Sequence, residues 1–351
     1  MSKFEKYLAL WVALCMAVGV VLSQTVPGIS ETIDSWQIRG ISIPIGVCLF
    51  LMMYPALLNL QLSELKKLKD NPKPILMTLF SNWIVAPLVA VLLANLFLRG
   101  NEQLIVAVIL LGASPCTAMV LVWGRLAEGN QEQNVVNTSL NTITIMFLYV
   151  PLVSLLTGIQ GIPIDRVLLA ASALVFIGLP LIFGIVSKRF LIRAKGESWF
   201  ENVYRPIVGK IAIGALLMTL IVLFSLNGQV LIDHFDQLVL VSAPLLLGFV
   251  IVVGFNLLTT RFFGLAYREA ITTVIIGSSS HFEIAIATAV AMYGVGSYAA
   301  LGTTMGLFWE VPIMLGLVYL GKALMRGGFW TGKEIQTGQP AKAAVEATEL
   351  D

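Results

Sequence analysis

The chain has 351 residues, 58% of them hydrophobic and 12% charged, with a formal charge of +2 and a mean hydropathy of +0.89. Water cannot solvate such a surface, so a soluble enzyme or a nucleic-acid-binding domain is excluded and a polytopic membrane protein is expected. With the net charge so small, only the placement of the charges is informative.

Apolar runs of about 17 to 25 residues read as membrane spans. In chain order they predict ten helices, near 8–24, 41–60, 75–98, 104–127, 135–158, 167–187, 207–226, 237–260, 270–293 and 300–323. The lead before the first run is short and charged, and no small-residue cleavage site follows it, so the first run is expected to be a retained span. From about Gly327 the chain turns to Gly, Gln, Ala, Glu and Thr, which reads as a disordered tail over 326–351.

Spans four and nine are the least uniform. In span four, Gly112 and Pro115 interrupt the apolar run Leu110-Leu111-Gly112-Ala113-Ser114-Pro115-Cys116-Thr117-Ala118-Met119-Val120 and leave a thiol at the break. Span nine repeats that plan in Val274-Ile275-Ile276-Gly277-Ser278-Ser279-Ser280-His281-Phe282-Glu283. One constant offset puts Gly112 over Gly277, Cys116 over His281 and Gly129 over Gly294. Matched breaks in corresponding positions of two halves point to a transporter's site near the bilayer midplane. Five spans per half is an odd number, so the second half enters the membrane from the opposite side. Two inverted five-helix repeats are expected, over 1–160 and 161–325.

Basic residues set the orientation, because short loops rich in Lys and Arg stay in the cytoplasm. With a cytoplasmic N-terminus, all of the 22 Lys and Arg residues fall inside except Arg39, Arg99 and Arg166. Both termini are therefore expected in the cytoplasm, and the protein in the plasma (inner) membrane.

All three cysteines, Cys15, Cys48 and Cys116, lie within spans, which argues against a disulfide framework. Cys15 and Cys48 read as small buried hydrophobes. Cys116 follows a Pro without a backbone donor, so its surroundings include backbone groups that must face protein or water. Intramembrane acids are rarer still, since a charge at the bilayer centre costs at least about 2.5 kcal/mol. Glu283 and Glu310 are the two, and each must pair, bind a cation or carry protons. His281, two residues before Glu283, reads either as a proton shuttle or soft ligand or as a core histidine bonded to backbone. Asn137 and Asn141, four apart on span five, and Asn82 and Asn256 read as polar glue between helices or as cavity lining.

Ser114-Pro115-Cys116-Thr117-Ala118-Met119-Val120 with Trp123, Phe282-Glu283-Ile284-Ala285-Ile286-Ala287, and Glu310-Val311-Pro312 together resemble the arsenite efflux permeases of the bile acid/sodium symporter superfamily. The likeness runs over residues 5–325. It implies an all-α membrane fold with a core domain in which broken helices four and nine cross, packed on a panel domain. It also implies an essential cysteine at Cys116 and conserved acids at Glu283 and Glu310. That family commonly carries a pair such as Asn-Phe ahead of the helix-nine Glu, where this chain has Ser280-His281-Phe282.

The expected function is export of arsenite, with antimonite as a second solute, in exchange for protons. Cys116, Ser114, Thr117 and His281 are the expected substrate contacts, and Glu283 and Glu310 the proton carriers. Asn137, Asn141, Ser279 and Ser280 are expected to line the cavity, with Gly112, Pro115 and Gly277 making the breaks. Trivalent arsenic is thiophilic, and a single soft thiolate captures it without holding it too tightly for release. Arsenite is mainly uncharged near neutral pH, so uphill export needs a coupled flow. The alternatives within transport are sodium-coupled uptake of an organic anion, and export of arsenate or another oxyanion held by helix N-termini at the breaks. An intramembrane serine enzyme built on Ser278, Ser279 or Ser280 with His281 and Glu283 is disfavoured, because neighbours on one short stretch rarely reach triad geometry. A non-transporting receptor on the same scaffold is the last alternative. Nothing in the sequence calls for a cofactor, a nucleic acid or a protein partner.

Overall fold

The computed structural model describes residues 8–26, 28–38, 41–58, 72–117, 119–294 and 296–332. The bulk of the expected tail and the basic residues Lys3, Lys6, Arg39, Lys66, Lys67, Lys69, Lys333 and Lys342 lie outside the described residues. Apart from an antiparallel ladder of two residues per strand, β1 (Gln37–Ile38) with β2 (Ile41–Ser42), every regular element described is helical.

The helices are α1 (Leu8–Thr25), the short α2 (Ile29–Asp34), α3 (Ile43–Leu58), α4 (Pro72–Phe97), α5 (Glu102–Gly112), α6 (Val120–Leu126), α7 (Gln131–Ile159), α8 (Arg166–Lys195), α9 (Arg205–Asp233), α10 (Phe235–Phe262), α11 (Tyr267–Gly277), α12 (Phe282–Tyr293) and α13 (Tyr298–Arg326). Among the described residues, six helices are long and apolar enough to cross a membrane: α4, α7, α8, α10, α13 and the helix from Glu197 that runs into α9. In their most apolar stretches only 33% to 44% of residues are buried within the protein. The remainder, including Leu88, Leu92 and Leu96 on α4 and Phe190 on α8, faces outward. So wide an apolar exterior suits lipid and would aggregate in water. This is an integral membrane protein. The apolar runs read as spans four and nine are each two helices, α5 with α6 and α11 with α12.

Polar residues start several helices where the chain leaves a loop. Asn101, Asn130, Asp165 and Ser297 each accept a hydrogen bond from a first-turn amide of α5, α7, α8 and α13. Proline shapes the long helices from within. Three π turns, Ser81–Val85, Leu174–Gly178 and Phe200–Tyr204, each stand two residues ahead of a proline, Pro87, Pro180 and Pro206. A proline ring clashes with the carbonyl four residues earlier and offers no N–H, so widening the preceding turn lets the helix continue.

Two sets of contacts dominate the packing, and α8 takes part in both, meeting α3 in one and α7 and α12 in the other. α9 lies against α1 and α3, and α3 also meets α8. In the other group α13 packs on α5, α10 and α12, while α4 packs on α5 and α10. Close approach within the first group depends on Gly19 of α1: a Cβ there would stand 2.6 Å from the Phe224 Cβ and 2.8 Å from the Ile221 carbonyl oxygen of α9. Neither neighbour is a flexible side-chain tip.

Gly19→Val is therefore expected to destabilise the fold by about 1–3 kcal/mol, the usual cost of overpacking. Thermal unfolding of purified protein in detergent checks this. Gly158→Ala, with nothing within 4 Å of the new Cβ, is expected to leave the transition unmoved.

Candidate functional site

The two helix breaks solve each other's hydrogen-bonding problem. After α5 ends at Gly112, the chain runs extended through Ser114, Pro115 and Cys116; after α11 ends at Gly277, it does the same through Ser279 and Ser280. Pro115 and Ser280 form an isolated antiparallel bridge. The Cys116 amide donates to the Ser279 carbonyl at 3.3 Å, and the His281 amide donates to the Ser114 carbonyl at 2.6 Å. Backbone groups released inside a membrane must find protein partners, and here each break supplies them to the other.

Side chains complete the accounting. Asn141 of α7 donates from Nδ2 to the Cys116 carbonyl at 3.0 Å, and its Oδ1 accepts from Asn82 at 3.2 Å. Asn134 donates to the Val120 carbonyl at the start of α6. On the second break, the Ser81 hydroxyl donates to the Gly277 carbonyl at 2.8 Å. Asn256 of α10 donates to Ser81 Oγ and Ser278 Oγ. Asn137 donates to Thr78 Oγ1 and does not reach the breaks through that bond. Ser81 and Asn82 both lie in the π turn ahead of Pro87, so the widened turn aims them at the crossing. Gly112 and Gly277 leave no room for side chains: a Cβ on Gly112 would overlap Ala90, and one on Gly277 would press on the Asn256 amide.

The two acids are held differently. Glu310 of α13 is buried and accepts three hydrogen bonds, from Ser279 Oγ at 2.6 Å and the Ser280 amide at 3.2 Å on Oε1, and from Ser280 Oγ at 2.5 Å on Oε2. Glu283, in the first turn of α12, meets His281 Nδ1 through Oε2 at 2.8 Å, and its Oε1 has no partner among the described residues. The other ring nitrogen of His281 stands 2.9 Å from Met53 Sδ on α3. Cys116, His281 and Glu283 are all buried, and Cys116 is in no disulfide.

A cavity of about 630 Å³, its open mouth included, lies between α4, α5, α10 and α13 and is floored by both breaks. Gly112, Ser114, Pro115, Gly277, Ser279 and Ser280 line it. Cys116, Thr117, His281, Glu283 and Glu310 do not line it; Cys116 and His281 each follow a lining residue in sequence, Glu310 accepts hydrogen bonds from Ser279 and Ser280, and Glu283 is reached through His281. Asn137 and Asn141 do not line it; Asn141 instead braces the first break. Sequence reasoning passed over Ser81 and Met53. Ser81 is recoverable from its place beside Asn82 ahead of Pro87, whereas a methionine in an apolar span carries no local signal at all.

The family model described as the Sodium Bile acid symporter family matches residues 46–234. An uncharacterised transporter of Synechocystis sp. is 39% identical over 98% of this chain and 93% of its own length. Arsenical-resistance protein Acr3 of Alkaliphilus metalliredigens is 33% identical over 90% of this chain and 91% of its own. Acr3 of Corynebacterium glutamicum is 31% identical over 91% of this chain and 88% of its own.

Asn141→Leu strips the carbonyl of the buried Cys116 of its side-chain donor. Leaving a buried acceptor unpaired costs about 1–3 kcal/mol, so thermal unfolding in detergent is expected to fall clearly below that of the unsubstituted protein. An unchanged transition would remove Asn141 as a brace.

Proposed function

This chain belongs to the Sodium Bile acid symporter family, a family of transporters and not of enzymes, and on that premise we propose that it exports arsenite from the cytoplasm in exchange for protons. The observation that carries the reading is the bridged pair of breaks, which gathers one buried thiol and two buried carboxyls around a single crossing. Two relatives about one-third identical over nine-tenths of this chain bear the name arsenical-resistance protein, which supports arsenite as the solute and antimonite as a second.

In this reading Cys116 exchanges its thiol proton for arsenic: the S–H bond and one As–OH bond break, an S–As bond forms, and water leaves. Release reverses the step. Ser114 and Thr117 flank the sulfur, and the cavity floored by Ser114 and Pro115 is the route by which solute approaches it. Glu283 and Glu310 carry the coupled proton. The molecule works as two inverted repeats, 1–160 and 161–325, with both termini cytoplasmic in the plasma membrane. α4–α7 and α10–α13 form a core that rocks against a panel of α1, α3, α8 and α9, a division supported by the packing of α9 on α1 and α3, with α8 as the element that meets both sides.

Sodium-coupled uptake of an organic anion is the second reading. Besides the family's name, it is favoured by the buried oxygens Glu283 Oε1 and Thr117 Oγ1, which have no partner among the described residues; oxygen ligands of that kind suit a hard cation.

Everted membrane vesicles separate the two. An imposed proton gradient is expected to drive arsenite accumulation without sodium and without comparable arsenate flux. Cys116→Ser and Glu283→Gln are each expected to lower the initial rate roughly tenfold or more, as loss of a major interaction requires, with protein still in the membrane. Accumulation that depends on sodium and ignores the proton gradient would replace this reading with the second.

A further inference from the structure

The outer side of α4 carries a cavity that takes no part in the site described above. It is a groove of about 1220 Å³, its open mouth included, lined by α4, α7 and α10. Apart from Thr144 and Thr259 its lining is apolar, and Leu76, Phe80 and Ile84 of α4, Leu148 of α7 and Phe263 just past α10 are all exposed. The groove therefore opens on the lipid-facing exterior. α4 and α10 run antiparallel along it, since the Phe80 and Phe255 rings stand 6.2 Å apart while Leu93 lies against Gly248. The start of α4 and the end of α10 thus share one membrane face.

A positive charge stands at that end. Lys73, in the first turn of α4, is three and seven residues ahead of Leu76 and Phe80, a spacing that puts all three on one face of the helix. It is exposed and forms no ion pair with a described residue. From Lys73 to Ile84 a helix rises about 16 Å, close to half of a hydrocarbon core about 30 Å thick. The slot is apolar for the depth of one leaflet and basic at the membrane boundary. An acyl chain that ends in an anionic headgroup has the complementary pattern.

We propose that the groove between α4, α7 and α10 binds one anionic phospholipid, with an acyl chain along Leu76, Phe80 and Ile84 and the headgroup phosphate at the Lys73 ammonium. The same groove exposes Trp83, which donates from Nε1 to Thr144 Oγ1 at 3.1 Å and so joins α4 to α7. Trp83 belongs to the π turn that also carries Ser81 and Asn82, the residues that reach inward to the Gly277 carbonyl and to Asn141. A bound chain presses on the outer side of the turn that braces the crossing, which makes the lipid part of the frame of the site. The proposal stands on the fold and does not depend on which solute is carried.

The chain has seven tryptophans, and the difference in emission between the unsubstituted protein and Trp83→Phe isolates Trp83. Full-length protein in phosphatidylcholine vesicles is titrated with phosphatidylglycerol or phosphatidylcholine whose acyl chains carry bromine, a short-range quencher of indole fluorescence. Both lipids are expected to quench Trp83, phosphatidylglycerol about fivefold more effectively, the effect of one lysine beside an anionic headgroup. Lys73→Gln is expected to remove that preference and to leave quenching by phosphatidylcholine as it was. Added salt is expected to weaken the preference in the protein with Lys73 intact, so the charge dependence is read even if Lys73→Gln fails to insert. Equal quenching by the two lipids, or a preference that survives Lys73→Gln or high salt, overturns the proposal. So does a Trp83 that neither lipid reaches, the result expected if a second copy of this chain fills the groove.

Discussion

Everything near the site follows from one constraint: inside a membrane, a helix that stops must hand its backbone hydrogen bonds to other protein groups. Two helices stop here, at Gly112 and Gly277, and an antiparallel bridge between Pro115 and Ser280 lets each satisfy the other. A substitution that moves one must strand groups in both, which ties the position of Cys116 to that of His281 and Glu283 even though they are far apart in sequence. The site is therefore assembled by backbone pairing first and decorated by side chains second.

The bracing of that crossing reaches back to a proline on α4. Pro87 forces a π turn onto Ser81–Val85, and the extra residue in that turn presents Ser81 to the Gly277 carbonyl and Asn82 to Asn141. The same device recurs ahead of Pro180 and Pro206 in the other packing group. Proline serves these long helices as a means of setting side-chain azimuth, at the cost of one locally widened turn.

Class and breaks were legible in the sequence because they rest on strong local signals. Hydropathy separates lipid from water, and a Gly and a Pro in an apolar run have few other uses. The amides needed more: Asn82, Asn141 and Asn256 were equally consistent with glue and with lining until their partners were known, and all three turn out to hold the breaks or each other. Met53 was illegible, since only the tertiary fold brings a thioether on α3 to an imidazole more than two hundred residues away. The cavity lining was half legible. The seryl and glycyl residues of the breaks line it, whereas Asn137 and Asn141, chosen by their spacing on one helix face, do not.

The unequal surroundings of the two acids support giving them unequal work. Glu310 meets three donors, all from Ser279 and Ser280, and these are the same residues that pair with the first break. Any change in its charge would therefore be felt at the crossing itself. Glu283 has one partner, a titratable one, and an oxygen that no described residue satisfies. The two acids are thus held unlike each other: Glu310 is fastened to the second break through Ser279 and Ser280, whereas Glu283 meets a ring nitrogen of His281.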